Sequence, residues 1–165
     1  MIAMHRAALL TEVRRQVAPY PTLSVLLDYW ERLCGPRAMP RPRDFDILEI
    51  PSIAGSLHMV EARREDRRTR FFFRVYGSTI ASVRGVDYQN RYVDDCPMAG
   101  WVRSVNDAFQ QVVDRRMPEY SETGRIFDEQ LYLGFRRLTC PLSTDGDTVD
   151  RLLCAAVPLR RGEVA

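Results

Sequence analysis

The chain has 165 residues, 45% of them hydrophobic and 28% charged, with 24 basic residues against 22 acidic ones for a net charge of +2. That length carries one domain with a proper core, and that composition excludes a disordered or fibrous chain. The charge balance does not call for a polyanionic partner, and every basic residue is Arg and none Lys, which reads as compositional bias rather than as a binding signal.

Two helical patterns come first. Over Ile2–Val17 the residues Leu9, Leu10, Val13 and Val17 form one stripe, and from Pro21 the residues Leu23, Leu26, Leu27, Trp30 and Leu33 repeat at helical spacing. Gly35 and Pro36 stop the second helix. The proline-rich stretch Gly35–Arg43 reads as an ordered linker, followed by a short helical turn around Asp46–Ala54. Ser56–Ala62 and Phe71–Tyr76 are β-rich runs, and the charged Arg63–Arg70 between them suits an exposed hairpin tip. A turn at Gly77, a short helix over Ser78–Val83 and a polar loop over Arg84–Asp95 lead into the best helix of the sequence. That helix runs from Pro97 to Arg116, with Trp101, Val102, Val105, Ala108, Phe109, Val112 and Val113 in phase. Glu119–Phe127, Gln130–Leu142 and Val149–Leu159 are three further strands, the last two joined by a turn around Asp145-Gly146. The final run Leu152–Val157 does not alternate, so it belongs in the centre of a sheet covered on both faces.

No apolar stretch approaches the ~20 residues of a membrane helix. Met1–Ala18 carries Glu12, Arg14 and Arg15 and lacks the apolar core and cleavage site of a signal peptide. The expectation is a cytoplasmic chain with reduced thiols, in which the scattered Cys34, Cys96, Cys140 and Cys154 act as small buried hydrophobes and neither bind zinc nor form disulfides.

This order of a hairpin, short helices, one long helix and a three-strand meander resembles the Per-Arnt-Sim (PAS) sensor fold. Local stretches carry the same resemblance. Leu27-Asp28-Tyr29-Trp30-Glu31-Arg32-Leu33, Pro40–Asp46 and Ile50-Pro51 resemble the opening of a family of short bacterial PAS-like proteins. Phe73–Ser78 resembles its second strand and turn, Arg84–Tyr92 its glycine-bearing loop, and Cys140–Ser143 with Asp145-Gly146 and Val149-Asp150 its final hairpin. The match runs from about Thr22 to Leu159, with Gln89-Asn90 standing where the loop usually carries Thr-Gly before the Arg, here Arg91. The resemblance implies an α+β fold with a five-stranded antiparallel sheet, N-terminal helices and one long helix across the sheet. It divides the chain into an amphipathic helical extension over residues 1–20 and a PAS-like domain over residues 21–165. It also implies a non-catalytic sensory, ligand-binding or protein-interaction module in bacterial signalling, with Phe73, Tyr76, Tyr92, Trp101 and Arg91 as ligand-facing candidates. The other aromatics on those elements are Tyr88, Phe109, Phe127 and Phe135.

Site chemistry other than ligand binding finds little support. The two histidines are His5, near the terminus, and His58, in the first strand; the long helix offers no haem ligand, so haem is not expected. The Asn90–Cys96 stretch does not reproduce the reactive-cysteine turn of a photochemical flavin site, and Cys96 lacks a neighbouring base. Asp94-Asp95 before Pro97 suits helix capping better than catalysis or metal binding. No nucleophile elbow, metalloprotease, phosphate-loop or dinucleotide motif is present. Two rival readings remain: a small cone-shaped α+β isomerase or dehydratase, which would need a carboxylate beside His58, and a weak nucleic-acid binder using the Arg-rich tip. A small organic ligand, a signalling protein and a second copy of the chain are the expected partners. The stripe Met4, Leu9, Leu10, Val13 and Val17 must be covered, either by pairing with the second copy or by the helix folding back on the outer face of its own sheet.

Overall fold

Apolar residues at a 3.6-residue period must find a partner surface, and each of the expected helices does so. A computed structural model of the chain describes residues 2–126 and 132–159. Helix α1 spans Ile2–Val17 and α2 spans Pro21–Cys34, ended by Gly35 at a positive φ of 53°. Three short 3₁₀ turns between Pro42 and Ser56 replace the helical turn expected around Asp46, because Pro51 interrupts any longer helix.

Strands β1 (Leu57–Glu65) and β2 (Arg68–Tyr76) form a hairpin longer than the apolar runs suggest. The charged residues join the ladder, and the turn shrinks to Asp66 and Arg67, both at positive φ (51° and 89°). After α3 (Ser78–Arg84) comes the two-residue strand β3 (Arg91–Tyr92), then α4 (Ala99–Arg115) and the meander β4 (Glu119–Ile126), β5 (Tyr132–Leu142) and β6 (Arg151–Leu159).

The sheet is antiparallel, with strand order β3-β2-β1-β6-β5-β4. Among the described residues the expected five strands are therefore six. The loop after α3 touches the sheet edge for two residues, with Asn90 at φ 61° and its N–H on the Phe73 carbonyl at 2.7 Å. So short a pairing leaves no periodic trace in a sequence. The non-alternating β6 sits in the centre between β1 and β5, as its apolar run requires.

One face of the sheet is covered by α2, whose Trp30 is buried and donates its indole N–H to the Pro141 carbonyl at 2.8 Å. Helix α1 packs on α2 and β4, burying Val13 and Val17 with Leu9 and Leu10 partly covered, while Met4 stays 80% exposed. Much of the stripe is thus covered within the chain, by α2 and β4. Asp28 and Glu31 of α2 hold Arg14 of α1 at 2.7 and 2.6 Å. The opposite face carries α4, α3 and the loop between them, and there the aromatic side chains gather.

A clustered aromatic and cationic interior

Alternation along β2 would put Phe73 and Tyr76, three residues apart, on opposite faces of the sheet. A bulge prevents this. His58 pairs with Tyr76 and Met59 with Val75, but Val60 pairs with Phe73, so Arg74 is the extra residue. Phe71, Phe73 and Tyr76 consequently all face α4, with His58 and Val60 from β1, and their rings confirm the shared face: Phe73 to Tyr76 5.0 Å, Phe71 to Phe109 5.3 Å and Phe73 to Phe109 6.4 Å. Tyr88 joins Tyr76 at 5.7 Å and Trp101 at 6.0 Å.

His58 lies at the centre of this cluster with no exposed surface. Its ring stacks on Tyr76 at 4.4 Å and meets Phe73 edge-on at 5.8 Å. Nδ1 accepts the Gly77 N–H at 3.2 Å, so the neutral ring carries its proton on Nε2, and Nε2 has no hydrogen-bond partner among the described residues. Burial, with Arg137 and Arg84 nearby, holds His58 well below its ordinary value of 6.5. The unfolded chain therefore takes up a proton below about pH 6.5 that the native state refuses. Stability present above that pH is lost as the pH falls toward the folded-state value. We expect about 1 kcal/mol lost per pH unit between pH 6 and 5 in urea titrations, and a His58→Leu variant should lack this slope. Equal slopes in both proteins would mean that His58 is not held neutral.

Arg137 is the second unexpected member. Register places it on the same face, beside Ala156 and diagonal to the His58–Cys154–Thr139 row. It is 2% exposed, its Nε and Nη1 have no hydrogen-bond partner among the described residues, and its guanidinium carbon lies 5.5 Å from the Phe109 ring centre. Burial pulls its pKa down from the ordinary value. The ionisable groups that act on it are Cys154, Tyr76 and Arg84, none of them a carboxylate. A guanidinium nonetheless stays charged at neutral pH. Arg84, half-buried, stands over Trp101 at 4.1 Å and Tyr88 at 5.2 Å, with Nη2 3.8 Å from Cys96 Sγ. Tyr88 donates its hydroxyl to the same sulfur at 3.2 Å. Burial also pushes Tyr76 up to about 12. Buried Thr123 and Trp101 each hold a polar atom without a partner among the described residues.

Of the five ligand-facing candidates, the structure brings Phe73, Tyr76 and Trp101 together. Tyr92 pairs with Phe72 and lies on the other face, its ring 5.1 Å from Phe72, its hydroxyl donated to Glu65 at 2.7 Å and held by Arg63 at 3.1 Å. Arg91 pairs with Phe73 on the edge strand and is exposed. Phe127 lies outside the described residues. The residues that sequence reasoning missed are Arg137, Tyr88 as a core partner of Trp101, and the central place of His58. A usable signal was present in Arg136-Arg137, a charged pair inside an otherwise apolar strand.

Other expectations resolve locally. Asp94 and Asp95 do not cap α4: Asp95 accepts the Tyr92 N–H at 2.8 Å, and Asp94 bridges Arg70 at 3.2 Å and Asn106 at 2.9 Å, tying β2 to α4. The hairpin arginines Arg63 and Arg70 are paired with Glu61 at 2.6 Å and Glu65 at 3.0 Å. A groove of about 710 Å³ lies away from the aromatic cluster, between α1, the end of α4 and the β5–β6 connection, lined by His5, Arg6, Leu9, Met39, Met117 and Asp147 among others. Among the described residues no helix is long and apolar enough to cross a membrane, and no group of His, Cys, Asp and Glu is placed to hold a metal ion.

Comparison with known proteins agrees with this architecture. No curated protein sequence matches the chain. A solved Light-Oxygen-Voltage domain, studied with a flavin analogue, superimposes with a TM-score of 0.50 at 9% identity, covering 72% of this chain and 87% of its own. The Light-Oxygen-Voltage protein of Rhodobacter sphaeroides is also 9% identical, covering 72% of this chain and 71% of its own, with a TM-score of 0.45. At such identity the first likeness speaks for the fold alone. The family profile described as "PAS domain" matches residues 19–157, from the residue before Tyr20 at the head of α2 to near the end of β6. The chain belongs to the PAS domain family, a family of sensory, ligand-binding modules rather than catalytic ones.

Proposed function

We propose that the chain senses a small organic molecule held between α4 and the sheet, against Phe73, Tyr76, Tyr88 and Trp101, and passes the bound state on by protein association in bacterial cytoplasmic signalling. The observation that carries this reading is the set of buried polar atoms on that one face without partners among the described residues: His58 Nε2, Arg137 Nε and Nη1, and Trp101 Nε1. Folded proteins leave few such atoms unsatisfied, and their convergence beside an aromatic wall is the chemistry of a ligand site. The floor between them is built from the small side chains of Cys154 and Ala156 on β6. The rival enzyme reading needed a carboxylate at His58, and the hydrogen bond that His58 makes comes instead from the Gly77 N–H.

Ligand binding should shift Trp101 fluorescence and raise the melting temperature, and Trp101→Phe should lose the optical signal and, without the Nε1–H, part of the stabilisation. A broad fragment library that produces neither change would remove the reading. A signalling protein partner and homodimerisation through the N-terminal helices belong to the same proposal, with Met4 offering exposed apolar surface at the end of α1. Sedimentation of the full chain and of a form lacking residues 1–18 tests the dimer. A full chain that stays monomeric at high micromolar concentration excludes it. Equal dimerisation of both forms moves the interface elsewhere.

A further inference from the structure

We infer that the ligand of this interior is an anion, a small apolar carboxylic acid in its ionised form, with Arg137 as its counter-charge. The inference rests on the ligand-site reading and adds a chemical class to it.

The argument begins with what surrounds Arg137. A guanidinium 2% exposed should be paired, because an isolated charge loses its hydration when buried. Here the Phe109 ring lies against it, and the ionisable neighbours are Tyr76, Cys154 and a second cation, Arg84. Among the described residues no carboxylate pairs with Arg137. His58 cannot supply charge of either sign, being buried and neutral. Two arginines of one sign thus act on one another across an aromatic interior that brings no acid to meet them. The remaining groups are an aromatic wall and the small floor residues Cys154 and Ala156.

Such an interior suits a molecule with one anionic end and an apolar body. The two free N–H-bearing nitrogens of Arg137, Nε and Nη1, lie on opposite edges of the guanidinium, so a carboxylate oxygen would take one charge-assisted hydrogen bond from either of them. The rings of Phe73, Phe109 and Tyr76 would cover the apolar body.

The test uses the full chain and two matched pairs of probes: phenylacetate with phenylacetamide, and octanoate with octanol. Affinities are read by calorimetry and by thermal stabilisation. In the native protein each acid should bind at least tenfold more tightly than its neutral partner. In Arg137→Met the acid's advantage over its neutral partner should vanish. That variant should also melt no lower than the parent, since replacing an unpaired buried charge by an apolar side chain of similar length removes a burden. Arg137→Lys should keep part of the preference, because it retains the charge but not the planar set of donors. Neutral probes that bind as tightly as the acids overturn the anion inference and leave the ligand-site reading standing. Stabilisation by inorganic phosphate equal to that by phenylacetate overturns the organic-acid class. Binding of none of the probes, together with no retained small molecule in native mass spectra of protein from its own host, overturns both readings.

Discussion

Replacing Trp30 by Ala should cost about 3–5 kcal/mol of stability, read as a fall in the urea midpoint with an unchanged slope. The indole is 1% exposed in the layer between α2 and the sheet, and its Nε1–H donates to the Pro141 carbonyl at 2.8 Å. Truncation removes the largest side chain of that layer and leaves a void that the neighbours cannot fill, since Leu23, Leu26 and Leu27 are themselves fully buried. Trp30→Phe separates the two contributions. It keeps most of the packing and loses the hydrogen bond, for a cost nearer 1–2 kcal/mol. A loss below about 1 kcal/mol for the Ala variant would mean that α2 does not seat on the sheet by this face.

Gly77→Ala should be nearly as damaging, at about 3 kcal/mol, although it adds a single methyl group. The backbone at Gly77 is ordinary, with φ −57°, so conformational freedom is not the reason for glycine there. The reason is space: a Cβ would lie 2.4 Å from the Gly55 carbonyl oxygen and 2.8 Å from that of Leu57. Both are backbone atoms that cannot swing aside. Any retreat of the Gly77 backbone would also pull its N–H away from His58 Nδ1, now at 3.2 Å. Gly85→Ala is the matched contrast. Gly85 sits at φ +73° with nothing within 4 Å of the added methyl, so it should cost only about 1 kcal/mol, from backbone strain alone. Equal losses for the two variants would show that the close approach of the turn at Gly77 to Gly55 and Leu57 is not rigid.

The two glycines illustrate a wider division between local and distant causes. Helix positions were legible in the sequence because a 3.6-residue period is a local property: the periods over Ile2–Val17 and Pro21–Cys34 appear as α1 and α2, and the long helix loses only its first two residues and its last. The central place of β6 was legible because a strand covered on both faces needs apolar residues at every position. The hairpin tip was only half legible. Charged residues read as loop, yet Arg63 and Arg70, paired with Glu61 and Glu65, extend the ladder to a two-residue turn.

What the sequence by itself determined, then, is the order of elements, the PAS resemblance and the aromatic content of the interior. Only the tertiary structure decided which of those aromatics meet. The bulge at Arg74 turns Tyr76 onto the face of Phe73, against the simple alternation of β2, and the pairing of Tyr92 with Phe72 sends it to the other side. The same holds for charge. Nothing in the letters around His58 or Arg137 says that one ring is held neutral and the other group stays cationic without an acid. Burial and the identity of neighbours drawn from β2, α3, α4 and β6 set those states, and such neighbours are chosen by packing between segments far apart in the chain.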